Sequence, residues 1–350
     1  MKTIKDTNLK DKTILIRTDY NVPLRDGKIT SDLRIRASLP TLDYLRSRGA
    51  AKIVIISHLG RPDGYDKNLS LAPVASALNK LIGRVSFEKS LAPADIKKST
   101  ATLKNGDILL LENLRFDPGE EQNDNNFIKS IIDAVNPDLY VQDGFAVLHR
   151  AHASTDAVKD FLPVFAGLLV EKEVSNLGKV MADPDKPLVL VLGGAKVADK
   201  QPLIDKFLPL ADHILIGGKI AANGYAPASD KIIVASDFDE DASGEKKDIG
   251  PVSTSEFAGK IIDAKTIIWN GTLGHTEDPA YATASTIVAE LMGEAEDKTT
   301  IVCGGDTTGF VENLIEEHPT LHYTLVSTGG GASLEFLLGN KMPGLDAISS

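Results

Sequence analysis

No arginine follows Arg150. All ten arginines lie within residues 1–166, and the rest of the chain has only lysine for fixed positive charge. Cysteine is scarcer still. The single Cys303 sits in the apolar run Ile301-Val302-Cys303, so a disulfide within the chain is excluded and a buried thiol is expected. No stretch is apolar enough to span a membrane. The start, Met1-Lys2-Thr3-Ile4-Lys5-Asp6, lacks the apolar core of a signal peptide, so a cytoplasmic location is expected. No basic run or stripe appears, which speaks against duplex nucleic acid as a partner. What is present, 350 residues of which 42% are hydrophobic, suffices for two domains with a core each.

The net charge of −11 is spread unevenly. Residues 1–166 carry 24 Lys and Arg against 21 Asp and Glu, whereas residues 167–350 carry 14 against 28. Arginine reads carboxylate and phosphate with two parallel donors, while lysine acts as a point charge. A small anion bound by the first half fits this asymmetry.

Residues 1–166 alternate strand and helix patterns. Thr13–Arg17, Lys52–Ser57, Asp107–Leu111 and Leu139–Gln142 read as strands, and Ser31–Arg48, Leu71–Ile82 and Asn125–Val135 as helices. Such alternation predicts a parallel sheet covered by helices, with ligands beyond the carboxyl ends of its strands. Polar residues gather at those ends. Arg17, Asp19 and Asn21 follow the first strand, and Ser57-His58-Leu59-Gly60-Arg61-Pro62 follows the next. Glu112-Asn113-Leu114-Arg115-Phe116 comes after the third, and Asp143, His149, Arg150 and His152 after the fourth, while Arg34 opens a helix. One such arginine is an ordinary solvated side chain. Several at one sheet edge would repel each other unless an anion of high charge sat among them.

Val164–Ala182 reads as one long helix, and Asp183-Pro184-Asp185-Lys186-Pro187 ends it, which places the link between domains at 167–186. The alternation then resumes over 187–338. Strands at Leu188–Leu192, His213–Ile216, Lys231–Val234, Thr266–Trp269 and Thr300–Cys303 precede, in most cases, a glycine-rich turn: Gly193-Gly194, Gly217-Gly218, Asn270-Gly271 and Gly304-Gly305-Asp306-Thr307. A last strand around Leu325 and Val326 leads into Ser327-Thr328-Gly329-Gly330-Gly331 and then a short helix. Glycine lets the backbone approach a ligand closely, and helix N-termini favour anions, so this array predicts a phosphate-cradling surface. Neither G-x-x-x-x-G-K-[ST] nor G-x-G-x-x-G occurs, which excludes a P-loop enzyme and counts against a dinucleotide dehydrogenase.

Taken in order, these stretches closely resemble the phosphoglycerate kinase family. The resemblance rests on Arg17–Pro23, Ser57–Pro62, Leu111–Phe116, His149–His152, Gly193–Lys200, Trp269-Asn270-Gly271, Gly304–Thr307 and Ser327–Glu335, and it spans nearly the whole chain. It implies two Rossmann-like, doubly wound α/β domains, 1–166 and 187–338, with residues 339–350 returning to the first. It further implies that the first domain binds 3-phosphoglycerate or 1,3-bisphosphoglycerate through Asp19, Asn21, His58, Leu59, Gly60, Arg61, Arg115 and Arg150, with Arg34 facing the transferring phosphoryl group. In the second domain, ADP or ATP is expected at Lys196, Lys200, Gly217, Gly218, Asn270, Glu277, Gly304, Gly305, Asp306 and Thr307. By the same resemblance Asp306 holds Mg²⁺, and Arg34, Lys196 and Gly330 are the catalytic set. A monomer acting on small molecules, without nucleic acid or membrane, is expected.

The sequence departs from the family pattern at Asp143-Gly144-Phe145-Ala146, at Thr272 after Trp269-Asn270-Gly271, and at Thr276. The stretch from Ala222 to Ser236 is much shorter than the family's. A carboxylate acceptor is already ionised at neutral pH, with a pKa near ~3.5, so no general base is required. In-line transfer by positioning and charge stabilisation, with domain closure, is therefore expected. Two alternatives stay open: a non-catalytic anion-binding protein, which has no need of Asp306 beside Lys196 and Lys200, and another kinase acting on an acyl phosphate.

Overall fold

Two six-stranded sheets, every ladder in them parallel, organise the chain. The computed structural model describes residues 1–349. It divides into one unit of Met1–Lys172 with the segment from Lys341 on, and a second of Glu173–Asn340.

The first unit runs β1 (Thr13–Arg17), a minor hairpin of β2 (Leu24–Arg25) and β3 (Lys28–Ile29), α1 (Leu33–Ser47), β4 (Lys52–Ile56), α2 (Ala72–Ile82) and β5 (Val85–Glu88). It continues with α3 (Pro93–Ala101), β6 (Asp107–Leu111), α4 (Asn125–Val135), β7 (Leu139–Gln142) and β8 (Val164–Ala166). The spatial order is β5-β6-β4-β1-β7-β8. The central strands are continuous apolar runs buried on both faces, which is what helices on each side of a parallel sheet demand. Ile14, Ile16, Ile53, Ile55, Ile108 and Leu110 share one core with Leu42 and Leu45 of α1 and Val74 and Leu78 of α2.

One expectation fails here. Val164–Ala182 is not a single helix: Val164–Ala166 is strand β8, paired with Tyr140–Gln142 of β7, and α5 (Leu168–Ala182) starts after Gly167. Val164 and Phe165 favour a strand once an edge is available. Gly167 is confined, because a Cβ there would collide with the Asp143 carboxylate. The boundary between the two units falls inside α5, after Lys172. The first unit also includes α12 (Pro343–Ser349), whose Gly344 amide donates to the Leu148 carbonyl at 2.9 Å.

The second unit contains β9 (Leu188–Leu192), α6 (Val197–Phe207), β10 (His213–Ile216), α7 (Gly218–Ala222), β11 (Ile232–Val234) and an antiparallel hairpin of β12 (Phe238–Glu240) and β13 (Lys246–Ile249). Then come α8 (Pro251–Asp263), β14 (Thr266–Asn270), α9 (Thr283–Gly293), β15 (Thr299–Cys303), α10 (Gly305–Glu317), β16 (Leu325–Val326) and α11 (Gly331–Leu338). Its sheet order is β11-β10-β9-β14-β15-β16. The strand order reverses beside the first strand of each sheet, which opens a crevice at the carboxyl ends. Helix α7 has only five residues and forms a stub between β10 and β11. No described helix is long and apolar enough to cross a membrane.

Candidate active site

At the carboxyl ends of the first sheet, a chain of contacts connects most of the expected anion-binding residues. Arg34, in the first turn of α1, forms an ion pair with Asp19. The Asn21 amide donates to Asp19 Oδ1 at 3.1 Å, and Asn21 Oδ1 accepts from the Gly60 amide at 2.8 Å. Gly60 has φ +65° and accepts from Arg115 Nη1 at 2.6 Å through its carbonyl. Arg115 Nε lies 3.0 Å from Glu121, and burial together with the Arg17 and Arg150 charges pulls its pKa down to about 10, so it remains cationic at neutral pH. Arg150 Nε meets His149 Nε2 at 3.2 Å, and Arg61 is exposed. Leu59 is buried, with its amide and carbonyl both bonded to the Asn113 side chain, so what it offers a ligand is loop shape.

Arg17 behaves differently from the other arginines. It is fully buried, donating to Ser154 Oγ at 2.9 Å, to Ser57 Oγ at 3.3 Å and to the Thr18 carbonyl, with Glu120 Oε1 3.9 Å away. A buried charge must be paired or shift its pKa. Here Glu120, itself enclosed and bonded to Ser154, supplies the counter-charge. Arg17 is therefore an internal cation, enclosed behind the other residues at this sheet edge. Its Nη2 faces His58 Nδ1 at 3.1 Å. A guanidinium only donates, so Nδ1 accepts and the ring proton of His58 sits on Nε2. Burial, followed by the Arg17 and Arg115 charges, holds the His58 pKa well below the usual histidine range. The same causes, with Arg115 ahead of Arg17, take His152 down to about 3. Neither imidazole competes for a proton at neutral pH.

In the second unit, two adjoining cavities open at the carboxyl ends of the strands. The larger, about 570 Å³, is lined by Lys196, Asp199, Lys200, Asn270, Asp306 and Gly330 among others. The smaller, about 280 Å³, is lined by Phe238, Lys246, Asp248, Leu273, His275 and Glu277 among others. Gly194, Ala195, Thr272 and Asp306 line both. The glycines have two different tasks. At Gly193 a Cβ would strike the Thr272 carbonyl, and at Gly271 the Gly193 carbonyl, so these residues let two turns pack backbone against backbone. Gly305, Gly330 and Gly331 have open space where a Cβ would stand, which lets a ligand come close to their backbone. Gly217 is packed on Leu273 and does not line either cavity, whereas Gly218 lines the smaller one.

Several expected ligand contacts are also internal fasteners. Asn270, 1% exposed, accepts from Lys200 Nζ and donates to Cys303 Sγ at 3.4 Å. Burial lowers the Lys200 pKa from its ordinary range. Thr307 Oγ1 accepts from the Gly271 amide at 2.7 Å. Glu277 is exposed at the rim, 3.4 Å from His275. The buried Glu173 of α5 was not foreseen: it accepts from Ser327 Oγ at 2.7 Å and from the Thr328 amide at 2.9 Å, gripping the turn that presents Gly330.

A family model described as phosphoglycerate kinase matches residues 4–242 and 223–340. The chain belongs to the phosphoglycerate kinase family. The phosphoglycerate kinases of Moorella thermoacetica and Dictyoglomus turgidum are 40% and 39% identical to it, over 99% of this chain and 98% and 97% of theirs. The solved phosphoglycerate kinase of Coxiella burnetii superposes with a TM-score of 0.80 at 31% identity, covering 99% of this chain and 98% of that one. For the Pyrococcus horikoshii enzyme the TM-score is 0.88 at 27% identity, with 100% and 98% covered. As a member of the phosphoglycerate kinase family the chain is a phosphotransferase with a carboxyl group as acceptor. The two matched segments overlap at 223–242, on the stretch that follows the α7 stub.

Proposed function

We propose that the chain moves a phosphoryl group reversibly between 1,3-bisphosphoglycerate and ADP, giving 3-phosphoglycerate and ATP. The observation that carries this reading is the larger cavity of the second unit, where open glycine amides, Lys196, Lys200 and Asp306 converge at helix N-termini. Lysines and free amides suit phosphate oxygens. In this reading the smaller cavity takes the nucleoside, with Glu277 at the ribose and Gly218 near the base.

Mg²⁺ fits the donor set. Asp306 is an exposed carboxylate lining both cavities, and no described group of three or more His, Cys, Asp or Glu could hold a metal by itself. Such a site suits Mg²⁺, which takes one or two carboxylates and completes its shell with substrate phosphates and water. When bound, the ion neutralises charge on the phosphate oxygens. The chain's own residues do the rest. Arg115, Arg150 and Arg61 hold the phosphate that does not react, and neutral His58 donates from Nε2 to the same substrate. Arg34, held by Asp19, meets the transferring group together with Lys196 and the Gly330 amide. The acceptor carboxylate needs no base, in keeping with two imidazoles that stay unprotonated. Domain closure, a monomeric state and a cytoplasmic location belong to the same reading.

The decisive assay follows ATP formation from ADP and 1,3-bisphosphoglycerate with and without Mg²⁺. Mg²⁺-dependent ATP formation supports the proposal. Absence of turnover by folded protein overturns it.

A further inference from the structure

Strand β13 and the loop 272–277 wall one side of the smaller cavity, and a third segment, the start of α9, backs the loop through Ser285. One buried carboxylate touches all three. Asp248, 2% exposed, accepts from the Ile249 amide at 2.9 Å through Oδ1 and from the Ala284 amide at 3.0 Å through Oδ2. Helix α9 follows Ala282, whose side chain cannot cap it, so the acceptor for a first-turn amide arrives from another strand. Gly274 lies so close that a Cβ there would collide with the Asp248 carboxylate. The loop is fastened on either side of that contact, by the Leu273 amide to Ser285 Oγ at 2.9 Å and the His275 amide to the Lys247 carbonyl at 2.9 Å.

We propose that Asp248 is a positioning residue for the nucleotide: its carboxylate holds the loop 272–277 and the start of α9 in the shape that receives the nucleoside. This rests on reading the smaller cavity as the nucleoside site. A plain helix cap would act at any surface. Here the capping strand and the loop laid on the carboxylate both line one cavity, and the capped helix fastens that loop through Ser285. Loosening the carboxylate therefore changes binding equally in ground and transition states, which raises KM and spares kcat.

Burial, with the Asp239 charge adding to it, pushes the Asp248 carboxyl up to about 6, against the opposing pull of the Ala284, Ile249 and Thr283 amides. Protonation converts one acceptor into a donor that faces N–H groups, so the grip weakens below that pH. Charged and titratable neighbours are Asp239 across the hairpin, Lys246 and Lys247 on its own strand, and Lys219 of α7. His275 and Glu277 of the loop and Asp306 at the start of α10 line the same cavity. His275 is the one that must be separated from Asp248.

Adenosine is the probe, because it has no phosphate to titrate. Calorimetric titration from about pH 8 to about pH 5 is expected to weaken its binding to the wild-type protein by about 3–10-fold, the scale of one lost cap. Asp248→Asn is expected to bind weakly at every pH, with the ADP KM raised by a similar factor and kcat within about twofold. His275→Asn is expected to keep the pH dependence. Wild-type affinity in Asp248→Asn, or a pH dependence that disappears in His275→Asn, overturns the proposal. If circular dichroism shows Asp248→Asn unfolded, the wild-type and His275→Asn profiles still decide. Folded wild-type protein that binds neither adenosine nor ADP removes the nucleoside-site reading itself; turnover with unchanged profiles removes only the role of Asp248.

Discussion

The carboxylate of Glu173 accepts from both the amide and the hydroxyl of Thr328, at 2.9 and 3.2 Å. Ser327 Oγ adds a third donor at 2.7 Å. All three residues are buried, so no water replaces a lost partner. The turn from Ser327 to Gly331 thus has its geometry set from α5, and Gly330, with φ +54°, sits at its far end.

Replacing Glu173 by Ala should leave the Thr328 amide and hydroxyl without their acceptor, at a cost of about 1–3 kcal/mol in stability, while Ser327 Oγ keeps Ser333 Oγ at 2.6 Å. If the turn presents amides to the reacting group, as proposed, kcat should fall by about tenfold, equivalent to ~1.4 kcal/mol at the transition state. Thermal unfolding and steady-state kinetics on the same sample check both. A destabilised variant with wild-type kcat would confine Glu173 to holding the fold.

Arg34 pairs with Asp19 from the first turn of α1. If it meets the transferring group, Arg34→Ala should lower kcat by roughly 10²–10³, the scale of removing one charged donor. Asp19→Asn should have a smaller effect, because it releases Arg34 without removing it. A kcat for Arg34→Ala within a few-fold of wild type would end this assignment.

Arg61, Arg115 and Arg150 are assigned to the phosphate that does not react. Single Ala substitutions should weaken 3-phosphoglycerate binding by about 1.5–3 kcal/mol each, the value of a charge-assisted hydrogen bond, and leave ADP binding alone. Calorimetry with each ligand separately tests this. Loss of ADP affinity would move the anion site to the wrong ligand.

The sheets were legible because a doubly buried strand is a short apolar run with turn residues at each end, and Thr13–Arg17, Asp107–Leu111 and Leu188–Leu192 have the bounds the pattern implies. The turns after the strands were legible as well, and Gly304–Thr307, read from its glycines, lines the larger cavity. What could not be read was pairing at a distance. Arg17 looks like any loop arginine until Ser154, 137 residues away, and Glu120 enclose it. Asp143, Glu173 and Asp248 look like surface acids, because nothing local marks a carboxylate that will be buried against amides of another element. The Val164–Ala182 error has the same origin, since strand β8 exists only because β7 offers it an edge.

Domain closure is the expectation that follows from placing the arginines and the glycine turns in different units. Direct transfer requires reacting atoms within about 3–3.5 Å. Small-angle scattering should therefore show the radius of gyration little changed by either ligand alone and reduced by both together. No reduction under conditions of confirmed turnover would refute it.

Asp143 yields a pH prediction of definite sign. Its carboxyl is fully buried, accepts from the Leu169 amide at 3.1 Å and sits beside the Thr41 hydroxyl, which accepts from the Leu168 amide at 3.0 Å. Burial pushes it up to about 7, although Thr41 and the amides of Leu169 and Val170 pull the other way. In the unfolded chain an aspartate titrates near ~3.9. Between those values the folded protein holds a proton that the unfolded chain has released, so stability falls as pH rises. The contribution is fully present below about pH 4 and lost by about pH 7, with a ceiling of ~4 kcal/mol for three pKa units. His58 and His152, held neutral by burial, act in the opposite sense and destabilise the fold as pH drops below about 6.5. A difference measurement separates the two. Asp143→Asn keeps both histidines and removes the carboxyl. Its urea-unfolding free energy, followed by circular dichroism, should gain on the wild type steadily from about pH 4.5 to about pH 7 and then level off. A gap between the two proteins that stays constant over that range would show that Asp143 does not titrate there.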